Sequence, residues 1–372
     1  MKRLLASVLA LCLLLSLAAC NKNPDPQETT GATTTAATEE PTTASTTEAT
    51  TEATEETTEA TEPPILYRSP LTGEPVEEPY TARPYTFTTN NVPQALPQCG
   101  VSNAAIVYET LVEGSATRCL AVYPDIAGLD HIGSIRSART YFVDLSLGLD
   151  AIFIHHGYSD FALNMLREYD VDDLCPGRNR GANAFYRDQE RRNSGYSLEH
   201  TSFADGDDLL AEMEDLGYEL HREEEIDYGW TFVEDGTPAG GEKAEKIVLS
   251  FMKDGKTTTL TYNKETGTYE AAQYGKDYID GNTDELVGFR NVLVIKAHSY
   301  IGSDGVHRFV EMNNTEGEGY FACGGKIIPI KWSRGEPTDP FVYTLEDGSP
   351  LELGVGTSYI ALMRLDSLVE YE

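Results

Sequence analysis

The chain has 372 residues, of which 61 are acidic and 28 are basic, so its formal net charge is −33 at pH 7. This charge excludes nucleic acid as a partner and disfavours direct adsorption to an anionic membrane surface. It is compatible with cationic ligands, with metal ions, or with nothing more than a solvated acidic surface.

The first twenty residues have a basic start, an apolar stretch over residues 4–15 and small residues before Cys20. The apolar stretch is too short to span a bilayer and is typical of a secretory signal peptide. Leu17–Cys20, LAAC, resembles the lipobox of bacterial lipoproteins, in which the cysteine is acylated and becomes the new N-terminus. An ordinary secretory signal is the alternative. We therefore expect a signal peptide over residues 1–19 and a lipid anchor, with chains such as palmitate, on Cys20.

Residues 21–64 are almost entirely Thr, Ala, Glu and Pro, without any aromatic residue, Val, Ile, Leu or Met. A segment of this composition cannot bury enough apolar surface to offset the entropy lost on ordering. We interpret residues 20–64 as the lipidated cysteine followed by a disordered tether. Such a flexible chain has a root-mean-square reach of about 35–40 Å, which would hold a folded body clear of the membrane.

Strand and helix patterns alternate in the first part of the body. Short apolar runs predict strands at residues 85–88, 106–112, 119–123 and 151–154. A period of 3.6 residues predicts helices over residues 137–149 and 207–216, and Ser159 can cap another helix after it. This alternation is typical of an α/β fold with a central sheet. We assign it to a domain over residues 65–225.

From about residue 242 the pattern changes to short strands separated by turn residues. The predicted strands are at residues 247–252, 257–262, 291–297, 306–312, 341–345 and 359–363. Asp254-Gly255 indicates a hairpin between the first two, and Gly324-Gly325 separates a further pair. We therefore predict a mainly β domain over residues 226–372, with a linker in the acidic segment 219–241.

The body contains four cysteines, and none of them has the CxxC spacing of a zinc site. They are Cys99, Cys119, Cys175 and Cys323. Outside the membrane such cysteines can oxidise, and four of them allow three pairings. We expect at most one disulfide and no cysteine nucleophile.

Arg136 and Arg139 lie at the start of the predicted helix over residues 137–149, three residues apart. Helix N-termini favour anions and disfavour cations, so two arginines there need a negative partner. One interpretation is a binding site for a carboxylate or phosphate group. The other is a structural ion pair, for which the candidate partners are Glu109, Glu113 and Asp144.

His155 and His156 follow a predicted buried strand, at the end of the sheet where α/β proteins gather ligands. Adjacent residues of a strand point to opposite faces, so at most one histidine can face a given cleft. A metal site would need a third ligand, such as His200 or Asp160, and a polar core histidine is the alternative. Arg187 and His200 lie in a loop-rich region and could converge on the same cleft.

Several of these segments occur in the order found in a known family. The most specific is Ile132–Arg139, IGSIRSAR, and the others are Ile106–Glu109, Glu113-Gly114, Thr117-Arg118, Asp150–Phe153 and His200-Thr201. In these segments the chain resembles the YerB-like bacterial lipoproteins, a two-part family of unknown function. The resemblance implies an envelope lipoprotein with an α/β N-terminal part and a β-rich C-terminal part. It implies no reaction, cofactor or catalytic residue.

Together these observations favour a lipoprotein on the extracytoplasmic face of the cell membrane that binds an envelope protein or a cell-wall ligand. We expect no cofactor and no metal. The alternatives are a hydrolase of envelope polymers that uses a histidine with an acidic residue or a metal, and a purely structural spacer. The expected ligand-binding residues are Glu109, Arg118, Arg136, Ser137, Arg139, His155, Arg187 and His200.

Overall fold

The computed structural model describes residues 67–253 and 255–372. The predicted signal peptide, Cys20 and the tether lie outside the described residues, as does Asp254 of the predicted hairpin. The described residues belong to one compact unit. We call residues 67–225 the N-terminal half and residues 226–372 the C-terminal half.

The N-terminal half combines strands with helices. Its strands are β1 Tyr67–Arg68, β2 Pro75–Val76, β3 Tyr85–Asn91, β4 Ile106–Leu111, β5 Thr117–Tyr123, β6 Ile132–Gly133, β7 Ile152–Ile154, β8 Asp173–Leu174, β9 Phe185–Arg187 and β10 Ser202–Ala204. Its α-helices are α1 Thr140–Leu147, α2 Asp160–Glu168, α3 Gln189–Asn193 and α4 Gly206–Leu216. The strands and helices predicted for this half are confirmed, with shifts of a few residues at their ends.

Two helix ends show why these local predictions succeed. Ser159 caps α2, because its Oγ accepts a hydrogen bond from the backbone N–H of Ala162 at 3.2 Å. Helix α4 ends at Gly217, which adopts a φ of 73° that residues with a side chain disfavour. Both signals depend on neighbouring residues only, so the sequence alone reveals them.

The C-terminal half is mainly β, as predicted. Its strands are β11 Thr231–Val233, β12 Glu242–Lys243, β13 Lys246–Ser250, β14 Thr257–Asn263, β15 Thr268–Gln273, β16 Lys276–Asp277, β17 Gly288–Phe289, β18 Asn291–Ala297, β19 Ser299–Ile301, β20 Arg308–Val310, β21 Thr315–Cys323, β22 Lys326–Arg334, β23 Val342–Thr344, β24 Glu352–Gly354, β25 Ser358–Arg364 and β26 Leu368–Tyr371. Strands β13 and β14 pair antiparallel, and so do β21 and β22. Strand β11 forms within the predicted linker and pairs parallel with β24.

One large sheet contains strands from both halves. Its order is β12-β22-β21-β18-β25-β4-β5-β3-β7-β8. Strand β25, close to the C-terminus, lies between β18 and β4 and runs parallel to both. The α/β N-terminal half and the mainly β C-terminal half therefore share backbone hydrogen bonds in the middle of this sheet.

Apolar side chains of the large sheet form a core on each of its faces. On one face Tyr108 packs in the same core as Phe142 of α1. On the other face Val107 shares a core with Ile247 and Leu260 of a second sheet, whose order is β16-β15-β14-β13-β26. Since neighbouring residues of β4 face different cores, one strand serves both.

Candidate functional site

A cleft of about 810 Å³ opens where the end of β3 lies beside the start of β5. The turn between β4 and β5 and the loops that follow α3 complete its walls. Three predicted site residues line the cleft, namely Arg118, Arg136 and His200. The structure therefore brings together residues that lie far apart in the sequence, from Arg118 to His200.

Arg118 is a buried cation at the inner surface of this cleft, with 4% of the residue exposed. Its Nη1 donates a hydrogen bond to the backbone carbonyl of Ser137 at 2.5 Å. Among the described residues, no carboxylate forms a salt bridge with it. Burial, together with the nearby charges of Arg139 and Arg136, lowers the pKa of Arg118 to about 9, although Tyr141 and Glu113 act in the opposite direction. A negative group in the cleft would relieve all three unfavourable effects.

The segment Ile132–Arg139 is extended, in contrast to the helix predicted from residue 137. Helix α1 begins only at Thr140. The backbone N–H of Arg136 donates to the carbonyl of Thr88 on β3, and that of Ala138 donates to the carbonyl of Gly157. These bonds hold the segment between neighbouring chains, so Arg136 and Arg139 do not share a helix face.

Glycine 133 allows this segment to approach β10 closely. A Cβ atom at Gly133 would lie 2.8 Å from the carbonyl oxygen of Ser202, which is closer than any side chain tolerates. Strand β6 pairs with β10 through Gly133 itself. The glycine of the IGSIRSAR motif is therefore required by packing, and it fixes the path of the chain toward Arg136.

Arg136 and Arg139 have different partners. Arg139 makes a bidentate ion pair with Glu113, with Nε and Nη2 at 2.6 and 2.8 Å from the two carboxylate oxygens. This is the structural ion pair that the sequence offered as an alternative. Arg136 contacts Glu199, with Nη2 2.9 Å from Oε2, and the Glu199 side chain is 52% exposed. The Nε of Arg136 is buried without a hydrogen-bond partner.

The charges at the cleft do not balance. Arg118 and Arg136 line the cleft with Glu113 and Glu199, and Arg139, which lies outside the lining, pairs with Glu113, so three positive charges meet two negative charges. Burial lowers the pKa of His200, so this histidine is neutral at pH 7 and adds no charge. The cleft therefore holds one excess positive charge in a strongly acidic protein.

His200 lines the cleft, whereas Arg187 does not. The Nδ1 of His200 lies 2.7 Å from Nδ2 of Asn90, at the end of β3. Arg187 donates from Nη2 to Nε2 of His156 at 3.0 Å and from Nη1 to the carbonyl of Leu198 at 2.8 Å. Burial, together with the charge of Arg187, lowers the pKa of His156 to about 4, so its ring is neutral and accepts this bond.

Glu109 lies on the opposite face of the sheet from Arg118 and does not shape the cleft. In the β4–β5 pairing Glu109 faces Cys119, whereas Arg118 faces Thr110. The Glu109 carboxylate accepts hydrogen bonds from Asn91, Thr117, Thr258 and Tyr359. It also lies 3.4 Å from the buried ammonium group of Lys256. Glu109 therefore belongs to a satisfied network that connects the two halves.

His155 also lies outside the cleft. It is fully buried at the end of β7, with Nε2 3.0 Å from Oδ2 of Asp173 and Nδ1 2.7 Å from the carbonyl of Gly157. Over residues 67–253 and 255–372, no group of three or more His, Cys, Asp or Glu side chains is arranged to hold a metal ion.

Asn90, Tyr196 and Glu199 are among the lining residues of the cleft that the sequence did not predict as site residues. Asn90 had a usable signal, because an asparagine at the end of a buried strand needs a polar neighbour. Tyr196 and Glu199 lie in loops after α3, and their approach to β3 depends on tertiary packing. Tyr196 is held there by a hydrogen bond from its hydroxyl to the carbonyl of Leu96 at 3.1 Å.

Two family models match this chain. Residues 71–219 match the N-terminal domain and residues 247–360 the C-terminal domain of a protein of unknown function, DUF3048. Together they cover well over half of the chain. The chain belongs to the YerB-like family. This family assignment confirms the resemblance seen in the sequence.

Comparison with individual proteins agrees with this family. The chain is 30% identical over 300 residues to "Putative lipoprotein YerB" of Bacillus subtilis, covering 80% of this chain and 86% of that protein. A crystal structure of the YerB protein from Bacillus subtilis superposes with a TM-score of 0.70 at 28% identity. That match covers 82% of this chain and 99% of the other. The YerB-like fold, an α/β part joined to a mainly β part, is thus shared.

The different surroundings of Arg118 and Arg139 predict opposite effects on stability. Arg118→Met removes a buried charge without a carboxylate partner, so we expect an unchanged or higher free energy of unfolding. Arg139→Met leaves the Glu113 carboxylate without its partner and should lower that energy by about 1–3 kcal/mol. Urea unfolding of both variants in the full-length protein measures this. Equal losses in the two variants would contradict the charge assignment.

Proposed function

We propose that this protein is a lipoprotein anchored through Cys20 to the extracytoplasmic face of the cell membrane. Its body binds an anionic group of an envelope partner or cell-wall ligand in the cleft around Arg118. The observation that carries the binding role is Arg118 itself, a buried guanidinium that faces the cleft without a salt bridge to any described carboxylate. The similarity to a YerB lipoprotein supports the lipid anchor.

A buried charge without a partner is unfavourable for stability, so its presence needs a reason. Moving a guanidinium out of water costs several kcal/mol unless an opposite charge compensates it. This protein carries 61 acidic residues, yet the two glutamates at the cleft are already paired with Arg139 and Arg136. A bound anion supplies the missing compensation, and its binding recovers the cost of burying Arg118.

A carboxylate matches this cleft best. The excess of one positive charge equals the charge of a single carboxylate, and arginine pairs with carboxylates through two parallel hydrogen bonds. Glu199 already places a carboxylate 2.9 Å from Arg136. Because its side chain is half exposed, it can be displaced by a carboxylate of the ligand without burial of an unpaired charge.

The tether and the anchor define where such binding would occur. None of the described helices is both long and apolar enough to cross a membrane. Two acyl chains on Cys20 would hold the protein firmly, and the tether would let the cleft search a layer about 35–40 Å deep beside the bilayer. An envelope polymer or protein with carboxylate groups lies within that layer.

A carboxylate and its neutral amide form a matched pair of probes for the cleft. N-acetylglycine should raise the thermal midpoint of the full-length protein, because a ligand that binds only the folded state stabilises it. N-acetylglycinamide, which lacks the charge, should raise it far less. Differential scanning fluorimetry with both compounds at equal concentration and ionic strength gives the comparison.

The control for this experiment is another arginine. Arg118→Met should abolish the shift caused by N-acetylglycine, whereas Arg222→Met should retain it, since Arg222 pairs with Asp150 and Glu219 and does not line the cleft. The proposal fails if the Arg118 variant keeps the full shift, or if the amide is as effective as the acid.

Lipidation can be tested separately from binding. Cys20→Ser should stop incorporation of labelled palmitate and move the protein from the membrane fraction to the medium. Cys12→Ser changes a cysteine within the apolar stretch of the signal and should leave labelling intact. Membrane retention of the Cys20 variant at the wild-type level would show that another element anchors the protein.

A further inference from the structure

A second cluster of charged side chains lies away from the cleft, around His155. Both ring nitrogens of His155 face oxygen acceptors, namely the carbonyl of Gly157 at 2.7 Å and Oδ2 of Asp173 at 3.0 Å. A neutral imidazole has one N–H and can donate only one of these bonds. Both contacts are hydrogen bonds only when the ring is an imidazolium. His155 is therefore a buried cation.

The cluster has more positive than negative charge. The second oxygen of Asp173, Oδ1, accepts hydrogen bonds from Arg178 at 2.5 Å and from Arg180 at 3.0 Å. One carboxylate therefore faces three cations, namely His155, Arg178 and Arg180. The missing negative charge has one candidate within the cluster, the thiol of Cys175.

Cys175 immediately follows β8 and is placed to carry a negative charge. Its Sγ accepts a hydrogen bond from the backbone N–H of Gly157 at 3.4 Å. Burial alone would raise the pKa of this thiol, but the nearby charge of His155 and the backbone N–H of Gly157 outweigh burial and lower it. Burial also opposes the charge of His155, but Asp173 and Cys175 outweigh it and raise the pKa of His155 to about 9.

The other three cysteines of the body provide a contrast. Burial raises the pKa of Cys99 and of Cys323 to about 11, and raises that of Cys119 well above its ordinary value. All four thiols are free and buried. Cys175 differs from them through its partners and not through its exposure.

The sulfur of Cys175 lies under a thin cover. Cys175 itself is fully buried, yet Gly177, two residues later in a short 3-10 turn, is exposed. A Cβ atom added to Gly177 would lie 3.7 Å from Sγ and 3.7 Å from the ring of Tyr158. Because Gly177 has no side chain, only a backbone segment separates the sulfur from solvent, and a small local movement admits a small molecule.

We propose that Cys175 is a modification site, a thiolate beside the cationic cluster of His155, Arg178 and Arg180 that reacts with small peroxides. The sulfur attacks one oxygen of hydrogen peroxide, an S–O bond forms and the O–O bond breaks. The thiolate becomes a sulfenic acid, and the departing hydroxide takes a proton from solvent to become water. Sulfur loses two electrons and the peroxide gains them. This site goes beyond the anion cleft and does not depend on it.

The titratable and charged groups around Cys175 come from several elements. They are His155 at the end of β7, Asp173 on β8, Arg178 and Arg180 in the following turn, Tyr158 before α2, and Tyr218 after α4, whose hydroxyl donates to the Asp173 carbonyl. The cations among these groups favour the thiolate form of Cys175.

The test treats the full-length protein in detergent with hydrogen peroxide, traps sulfenic acid with dimedone and maps the labelled cysteines by mass spectrometry. At pH 7 we expect Cys175 to be labelled at least about tenfold faster than Cys99, Cys119 and Cys323. Labelling of the four cysteines at equal rates, or of Cys175 last, would overturn the proposal.

Two variants distinguish the effect of the His155 charge from the effect of access to the Cys175 sulfur. His155→Gln should slow labelling of Cys175 at pH 7 by about tenfold or more and move the midpoint of the pH profile upward. Gly177→Ala should slow labelling by covering the sulfur while the midpoint stays at the wild-type pH. If the pH dependence of Cys175 labelling is unchanged in the folded His155 variant, His155 does not stabilise the thiolate and the proposal is contradicted. If that variant does not fold, the comparison among wild-type cysteines still decides.

Discussion

The position of β25 is the constraint on which the rest of the structure depends. This strand, near the C-terminus, pairs in parallel with β4 from the first part of the body. Directly beside that pairing, Tyr359 of β25 and Lys256 from the C-terminal half surround the buried carboxylate of Glu109. A buried carboxylate is tolerated only when its partners are in place, so this network ties the two halves into one arrangement. Strand β5, which carries Arg118, pairs with the other side of β4, so its position depends on the same arrangement.

The buried charges on the two faces of the large sheet differ in how fully they are compensated. On one face Glu109 has four hydrogen-bond donors and a lysine, and its charge is fully satisfied. On the other face Arg118 has, among the residues that the structure describes, one backbone carbonyl as its hydrogen-bond partner and two further arginines nearby. The buried charge of Glu109 is compensated within the protein, whereas the buried charge of Arg118 is not. We interpret the incomplete site as one that is completed by a ligand, with stability given up for binding.

Much of the fold could be predicted from the sequence, but the contents of the site only in part. The short apolar runs around Phe87 and Val107 and the helix cap at Ser159 are local signals. They predict the strands and the helix to within a few residues of their observed ends. The prediction that Glu109 lies at the cleft is wrong. The face of the sheet on which a strand residue lies depends on the register of the strands, and register is set by residues distant in the sequence. The start of α1 was expected at residue 137 because apolar periodicity continues through a segment whose backbone bonds go to β3. Glu199 reaches Arg136 only through tertiary packing.

The most direct test of the central claim is a crystal structure of the full-length protein grown with para-bromobenzoate, whose bromine can be located by its anomalous signal. We predict a bound carboxylate within hydrogen-bond distance of Arg118 and Arg136, with Glu199 displaced from its present contact at 2.9 Å. A cleft in which Glu199 keeps that contact, with the compound absent from the cleft at saturating concentration or bound only elsewhere, would contradict it.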